Sequence, residues 1–130
     1  MLFAQMKMKI QKIIIIKLGS IGDIVHTLPT LNALREKFPN AYISWIAKEE
    51  FSGLLLQHPS LDQVIPLSFT GSRIKVITGV LKIIRKIRKE RYDVLLELQG
   101  DLRGGLISFL SGVPLRLGYC AGSSRVEKIS

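Results

Sequence analysis

In the stretch KLGSIGDIVHTLP, residues 17 to 29, an aspartate stands three residues ahead of a histidine. On a helix that spacing is one turn, which allows Asp23 and His26 to pair as a base and its orienting partner, set against a neutral packed histidine. Gly19 and Gly22 permit close backbone approach and leave unpaired N–H groups where a helix starts. A carboxylate in a first helical turn also caps those amides and suits the helix dipole. Capping and proton transfer are therefore both open roles for Asp23. The stretch is not a dinucleotide fingerprint, because the third glycine of G-x-G-x-x-G is absent, and it lacks the Gly-Lys-Ser/Thr ending of a P-loop. A second constellation is LQGDLRGG, residues 98 to 105. Gly100 again allows close approach, and Arg103 offers a planar fork for carboxylate or phosphate, set against a plain solvated arginine. Neither His26 nor His58 has the partners of a metal site, and a lone cysteine adds none.

The elements that must hold these residues alternate. The run Ile13 to Ile16 reads as a strand buried on both faces. Ile21, Ile24, Leu28, Leu31, Leu34 and Phe38 then recur at helical spacing. Either that helix begins near Gly22 and kinks at Pro29, or its regular part starts around Thr27. Strands are expected at 41–47, 63–67, 91–100 and 115–120, with Pro66 marking an edge. Between them lie a short helix over 48–57, weakened by Gly53, an amphipathic helix over 74–90 and a helix over 101–111. In the helix over 74–90, Val76, Ile77, Val80, Leu81, Ile83, Ile84 and Ile87 share one arc. Lys75, Lys82, Arg85, Lys86 and Lys89 share the opposite one. This order predicts an α/β protein with a Rossmann-like, three-layer, mostly parallel open sheet of about five strands. The loops after the first and fourth strands would then flank one crevice at the carboxyl edge.

Composition narrows the class. With 130 residues the chain suits one domain, and its 47% hydrophobic content argues against disorder. Lys and Arg number 19 against 10 Asp and Glu, a net charge of +9 that favours anionic partners. The one-sided cations Lys82, Arg85, Lys86 and Lys89 suit an anionic membrane surface. Nucleic acid is not expected, because Trp45 and most Phe and Tyr fall at core-like positions away from the basic face. The single Cys120 fits a reducing cytoplasm. The four-isoleucine run is far below the ~7–15 apolar residues of a signal peptide, and nothing approaches the ~20 of a spanning helix.

Residues 12 to 119 resemble the lipopolysaccharide heptosyltransferases, glycosyltransferase family 9, a GT-B family of Gram-negative bacteria. The resemblance lies in IIIIKLGSIGDIVHTLPTLNALREKFPNAYISWIA, in LDQVIPL and in YDVLLELQGDLRGGLISFLSGVPLRLGY. Its block S-x-G-D-x-x-H-T-L-P is specific. The resemblance implies one half of a GT-B fold and an inverting transfer of heptose from a nucleotide-heptose to the lipopolysaccharide inner core. It makes Asp23 the general base, puts Ser20, Gly22 and His26 along the site, and sets Arg73 and Lys75 toward the acceptor's phosphate and acidic sugars. Gln99, Gly100 and Arg103 would complete the acceptor wall. Glu97 stands where the family more often has Asp, Asp101 where many members have an apolar residue, and Gly104 where many have Ser.

The family carries a second Rossmann-like domain that binds the donor, ADP-heptose or a similar nucleotide sugar. Residues 1–120 are accordingly read as the acceptor-side domain, 121–130 as a tail, and the donor-binding domain as absent. The isolated chain is expected to be inactive. No metal or other cofactor is expected. The partners implied are a lipid-linked, phosphorylated acidic oligosaccharide and the cytoplasmic face of the bacterial inner membrane, with self-association of the half-enzyme as a further expectation. The alternative is a non-catalytic basic Rossmann-like module that binds nucleotide, nucleic acid or anionic membrane.

Overall fold

The computed structural model describes residues 10–119 and 126–128. Cys120, the N-terminal residues before Ile10 and most of the tail lie outside them. The elements run β1 (Lys12–Ile16), α1 (Ile21–Lys37), β2 (Tyr42–Lys48), α2 (Glu49–Ser52), β3 (Gln63–Leu67), α3 (Arg73–Glu90), β4 (Val94–Glu97), α4 (Leu102–Leu110), β5 (Leu115–Tyr119) and β6 (Val126–Lys128). The sheet order is β3-β2-β1-β4-β5-β6. The first five strands are parallel and β6 is antiparallel to β5.

The isoleucine run explains the layering. Side chains alternate across a strand, so Ile13 and Ile15 face one way and Ile14 and Ile16 the other. The first pair packs with Ile24 and Leu31 of α1, the second with Ile83 and Ile87 of α3 and Ile107 of α4. Each of the four is at most 1% exposed. At about 1.5–3 kcal/mol for each fully buried side chain, this strand anchors both cores. β1 is where the strand order reverses: β2 and β3 lie to one side of it, β4 and β5 to the other. β3 is an outer strand, as Pro66 implied.

Several expectations are revised. α1 runs unbroken from Ile21 through Pro29. The bond that proline cannot make would go to the carbonyl of Val25, a residue 55% exposed, where water can replace it. Ile21 is exposed, and the buried positions of α1 are Ile24, Thr27 and Leu31. The helix expected over 48–57 is a single turn ending at Gly53. In α3 the buried residues are Ile83, Ile84 and Ile87, while Ile77 and Leu81 are 57% and 49% exposed. Those two lie roughly 70° and 110° round the helix from the buried stripe's centre, too far to reach the sheet. β4 is only four residues long, and β6 arises from a tail with no apolar periodicity. A three-residue edge strand held by backbone pairing has no such pattern to show. Among the described residues no helix is long and apolar enough to cross a membrane.

Candidate functional site

Ile16 of β1 is in register with Glu97 of β4, so the two loops leave the carboxyl edge side by side. They are bonded to each other. Lys17 Nζ donates to the carbonyl of Leu98 at 3.0 Å. Gln99 Oε1 accepts from the amides of Leu18 at 2.9 Å and Gly19 at 3.4 Å. From the β2 side, Trp45 Nε1 donates to the carbonyl of Lys17 at 2.9 Å. Gly19 has φ +94, and a Cβ there would come within 2.9 Å of Ile24 Cδ1, so both conformation and space call for glycine.

Asp23 occupies the first turn of α1 and is exposed. Its Oδ2 accepts from the amide of Ser20 at 3.3 Å, and its own amide donates to Ser20 Oγ at 3.5 Å. This is a capping box, so the helix-cap role is present. It engages one oxygen and leaves the carboxylate open to solvent, since a carboxylate has about four acceptor positions. The cap therefore orients Asp23 without consuming it. A Cβ built on Gly22 beside it meets nothing within 4 Å. His26 is exposed one turn on, and no hydrogen bond links it to Asp23.

On the β4 side the residues form one network. Glu97 is 2% exposed, and its Oε1 accepts from the amides of Gln99 at 2.8 Å and Gly100 at 2.9 Å. Burial pushes its carboxyl above the usual range, opposed by those two amides and by Lys17 and reinforced by Asp101. Gln99 Nε2 donates to Asp101 Oδ2 at 3.0 Å. Asp101 caps α4 through the amide of Gly104 at 3.2 Å and pairs with Arg103 at 2.8 Å. Partial burial raises the Asp101 pKa, but the bonds from Arg103, Gln99 and the Gly104 amide outweigh it and hold the group below its ordinary value. The Arg103 guanidinium also lies 4.9 Å from the ring centroid of Phe69, in the loop after β3. Arg103 is thus an oriented fork and not a freely solvated arginine. Gly100 has φ +74, which explains the glycine by its backbone.

Glu97 and Gly104, two positions that the resemblance singled out, meet in this network. A Cβ on residue 104 would stand 2.9 Å from Glu97 Cδ and closer still to Oε1. Glycine at 104 makes room for the Glu97 carboxyl.

Arg73 and Lys75 are exposed at the start of α3, where Ser72 Oγ accepts from the Lys75 amide at 3.3 Å. Lys75 borders a groove of about 550 Å³ lined also by Ser68, Gly71 and Lys82, and Arg73 is not part of that lining. A second groove of about 500 Å³ opens at the ends of β2 and β3 beside Lys48, Glu49 and Phe69. On α3, Lys82, Arg85 and Lys89 are exposed, and Lys86 pairs with Glu90 at 3.8 Å. Among the described residues no group of three or more His, Cys, Asp or Glu could hold a metal ion.

The structure thus brings Ser20, Asp23, Gln99, Gly100 and Arg103 to neighbouring loops at one edge, and sets Arg73 and Lys75 after the next loop. Sequence reasoning missed Lys17 and Phe69 as parts of this edge. A lysine directly after a buried strand and an aromatic in the polar loop SFTGSR were the available signals.

No family model matches the chain. It is 31% identical over 97 residues to lipopolysaccharide heptosyltransferase 1 of Campylobacter coli, an alignment covering 75% of this chain and 28% of that protein. Among solved structures it resembles a glycosyl transferase family 9 protein from Veillonella parvula, with a TM-score of 0.78 at 22% identity, over 85% of this chain and 32% of that one. It also resembles the E. coli ADP-heptose lps heptosyltransferase II, with a TM-score of 0.72 at 24% identity, over 86% and 31% respectively. The chain spans about a third of the length of each. In sequence the chain is similar to part of a lipopolysaccharide heptosyltransferase, and in fold to part of the glycosyl transferase family 9 and heptosyltransferase structures.

Proposed function

We propose that this chain is the acceptor-side half of an inverting glycosyltransferase that moves heptose from a nucleotide-heptose, ADP-heptose or a similar donor, onto the lipopolysaccharide inner core. The observation that carries the reading is Asp23: an exposed carboxylate, oriented by its cap, at the carboxyl edge beside open space at Gly22. An inverting transfer needs a base within hydrogen-bond reach of the attacking hydroxyl, on the face opposite the leaving nucleotide. Asp23 would take that hydroxyl proton as the sugar oxygen attacks the anomeric carbon and the nucleotide leaves.

Ser20, Gly22 and His26 line the acceptor's path. Arg73 and Lys75 meet its phosphate and acidic sugars, and Arg103 presents a fork already set by Asp101 and Phe69. Gln99 and Gly100 shape the wall, with the Gln99 amide spent on joining the loops. Donor binding belongs to a second domain, so these 130 residues alone transfer no sugar, and the chemistry requires no metal. The protein works at the cytoplasmic face of the inner membrane. Lys82, Arg85, Lys86 and Lys89 attract anionic lipid, and the exposed Leu102, Leu106 and Phe109 of α4 supply apolar area on the same face of the sheet.

The test titrates the purified chain with inner-core oligosaccharide and, separately, with single-stranded DNA. Saccharide binding that Asp23→Asn preserves and Arg103→Ala weakens is expected. Salt-sensitive DNA binding without saccharide binding refutes the reading and favours a basic binding module. In a complete two-domain relative, Asn at the position of Asp23 should lower kcat by about 10²–10⁴-fold. Unchanged turnover there removes Asp23 from the chemistry.

A further inference from the structure

Glu97 is a buried carboxyl that the proposed chemistry leaves without a task. At 2% exposure it costs free energy to bury, and its position in the fold shows what it holds. One oxygen accepts from two successive amides, Gln99 and Gly100, and so sets the turn that opens the β4–α4 loop. The side chain of Gln99, whose backbone is fixed in this way, reaches across to the Leu18 and Gly19 amides in the loop after β1. The next residue, Ser20, is the cap to which Asp23 is bonded. Hydrogen bonds linked through the Gln99 side chain and the backbone therefore connect the Glu97 carboxyl to the loop that caps the helix of Asp23. The first turn of α4 is shaped to the same group, because only glycine at 104 leaves room for it.

We infer that Glu97 is a positioning residue: its carboxyl sets the geometry of the Asp23 loop through the Gln99 side chain, so a change at Glu97 is transmitted across the sheet's switch point. The inference rests on the transferase reading only for its consequence in catalysis. The coupling itself is a property of this chain.

The charged groups facing Glu97 are Lys17 from the end of β1 and Asp101 from the loop ahead of α4, the latter already paired with Arg103. Burial favours its protonated form, so it titrates above an ordinary glutamate. Its proton can therefore be added before that of Asp101, whose carboxyl is held below its ordinary value, which makes pH a probe that needs no mutation.

The experiment follows backbone amide resonances of the whole chain in ¹H–¹⁵N spectra as pH is lowered. Gln99, Gly100, Leu18 and Gly19 amides are expected to shift together, with one midpoint above the ordinary glutamate value of 4.5. In Glu97→Gln that shared titration should be lost at all four. In Gln99→Ala it should persist at Gly100 and be lost at Leu18 and Gly19. A merely structural Glu97 would lower stability without producing this pattern. Leu18 and Gly19 amides that do not titrate in the unmodified chain, or that still titrate in Gln99→Ala, overturn the inference. Because the readout needs no substrate, it stands or falls separately from the transferase reading, which is tested by saccharide binding and by turnover of the Asn variant in a two-domain relative.

Discussion

Gly104 and Gly105 are adjacent in the same helix, yet replacing each with alanine should change stability in opposite directions. At Gly105 a Cβ meets nothing within 4 Å. The substitution there removes only the helix penalty of glycine, and should stabilise the chain by about 0.5–1 kcal/mol. At Gly104 the new carbon would lie 2.9 Å from Glu97 Cδ and 3.0 Å from Gln99 Cβ. Neither neighbour is the loose end of a surface side chain: one is a buried carboxyl bonded to two amides, the other belongs to the loop those amides hold. The carboxyl must leave at least one amide, and a hydrogen bond to a charged acceptor is worth about 1.5–3 kcal/mol. The recovered helix propensity offsets about 1 kcal/mol of that. The net effect is a destabilisation of about 0.5–2 kcal/mol, and more if both bonds break. Urea unfolding of the two single variants decides the sign directly. Adding Glu97→Ala closes a double-mutant cycle, in which the Gly104→Ala penalty should shrink once the carboxyl is gone, leaving only the tight contact with Gln99 Cβ. Equal shifts at 104 and 105, or a Gly104→Ala penalty undiminished by Glu97→Ala, would refute the packing argument.

Other outcomes follow from the same coordinates. The Tyr92 hydroxyl bonds to Ser44 Oγ and Glu90 Oε2, each at 2.7 Å, in a buried position. Tyr92→Phe should cost about 1–2 kcal/mol in chemical unfolding, and a neutral result would mean the hydroxyl network adds nothing. Because burial raises the folded pKa of Glu97, its proton-linked stabilisation is complete below the unfolded value of 4.5 and is lost as pH rises through the folded pKa. The unmodified chain should therefore lose stability relative to Glu97→Gln over that rise; a flat or growing difference contradicts it. Asp101 has the opposite sign, with a lowered folded pKa whose stabilisation holds above 3.8 and fades as pH falls through that lowered value. Asp101→Ala should remove the cap of α4 at about 1 kcal/mol near neutral pH and release Arg103 from its pairing, both visible in unfolding and side-chain spectra. Vesicles rich in anionic lipid should retain the chain more than neutral vesicles, and Phe109→Asp should weaken that retention. Equal retention would remove the membrane-facing role.

The layering was legible because it depends on short-range patterns. Four successive isoleucines bury on both faces only in the middle of a covered sheet, and β1 is where they lie. Alternation of strands and helices fixed the parallel connections, and Pro66 marked the outer strand. The limits of each helix's buried stripe were not legible. Ile77 and Leu81 of α3 have the right period, but the width of the contact depends on what the helix meets, and the sheet meets only the stripe around Ile83, Ile84 and Ile87.

At the candidate site the motif around Asp23 was readable because a strand-to-helix turn needs its glycines and its cap within a few residues. The part each residue plays was not. From composition Gln99 could equally have pointed into the crevice, and Arg103 could have been a solvated cation. Pairing β1 with β4 joins residues 81 positions apart, and only that pairing makes Gln99 a brace between loops. Likewise no local rule links Glu97 to Gly104, because the link is a collision that exists only when the first turn of α4 folds back over the end of β4. Local chemistry, set by neighbours in the chain, was thus determined by the sequence. The division of work between side chains that touch a ligand and side chains that hold them still was decided by the tertiary structure, because it depends on which distant amides lie within 3 Å or so of each other.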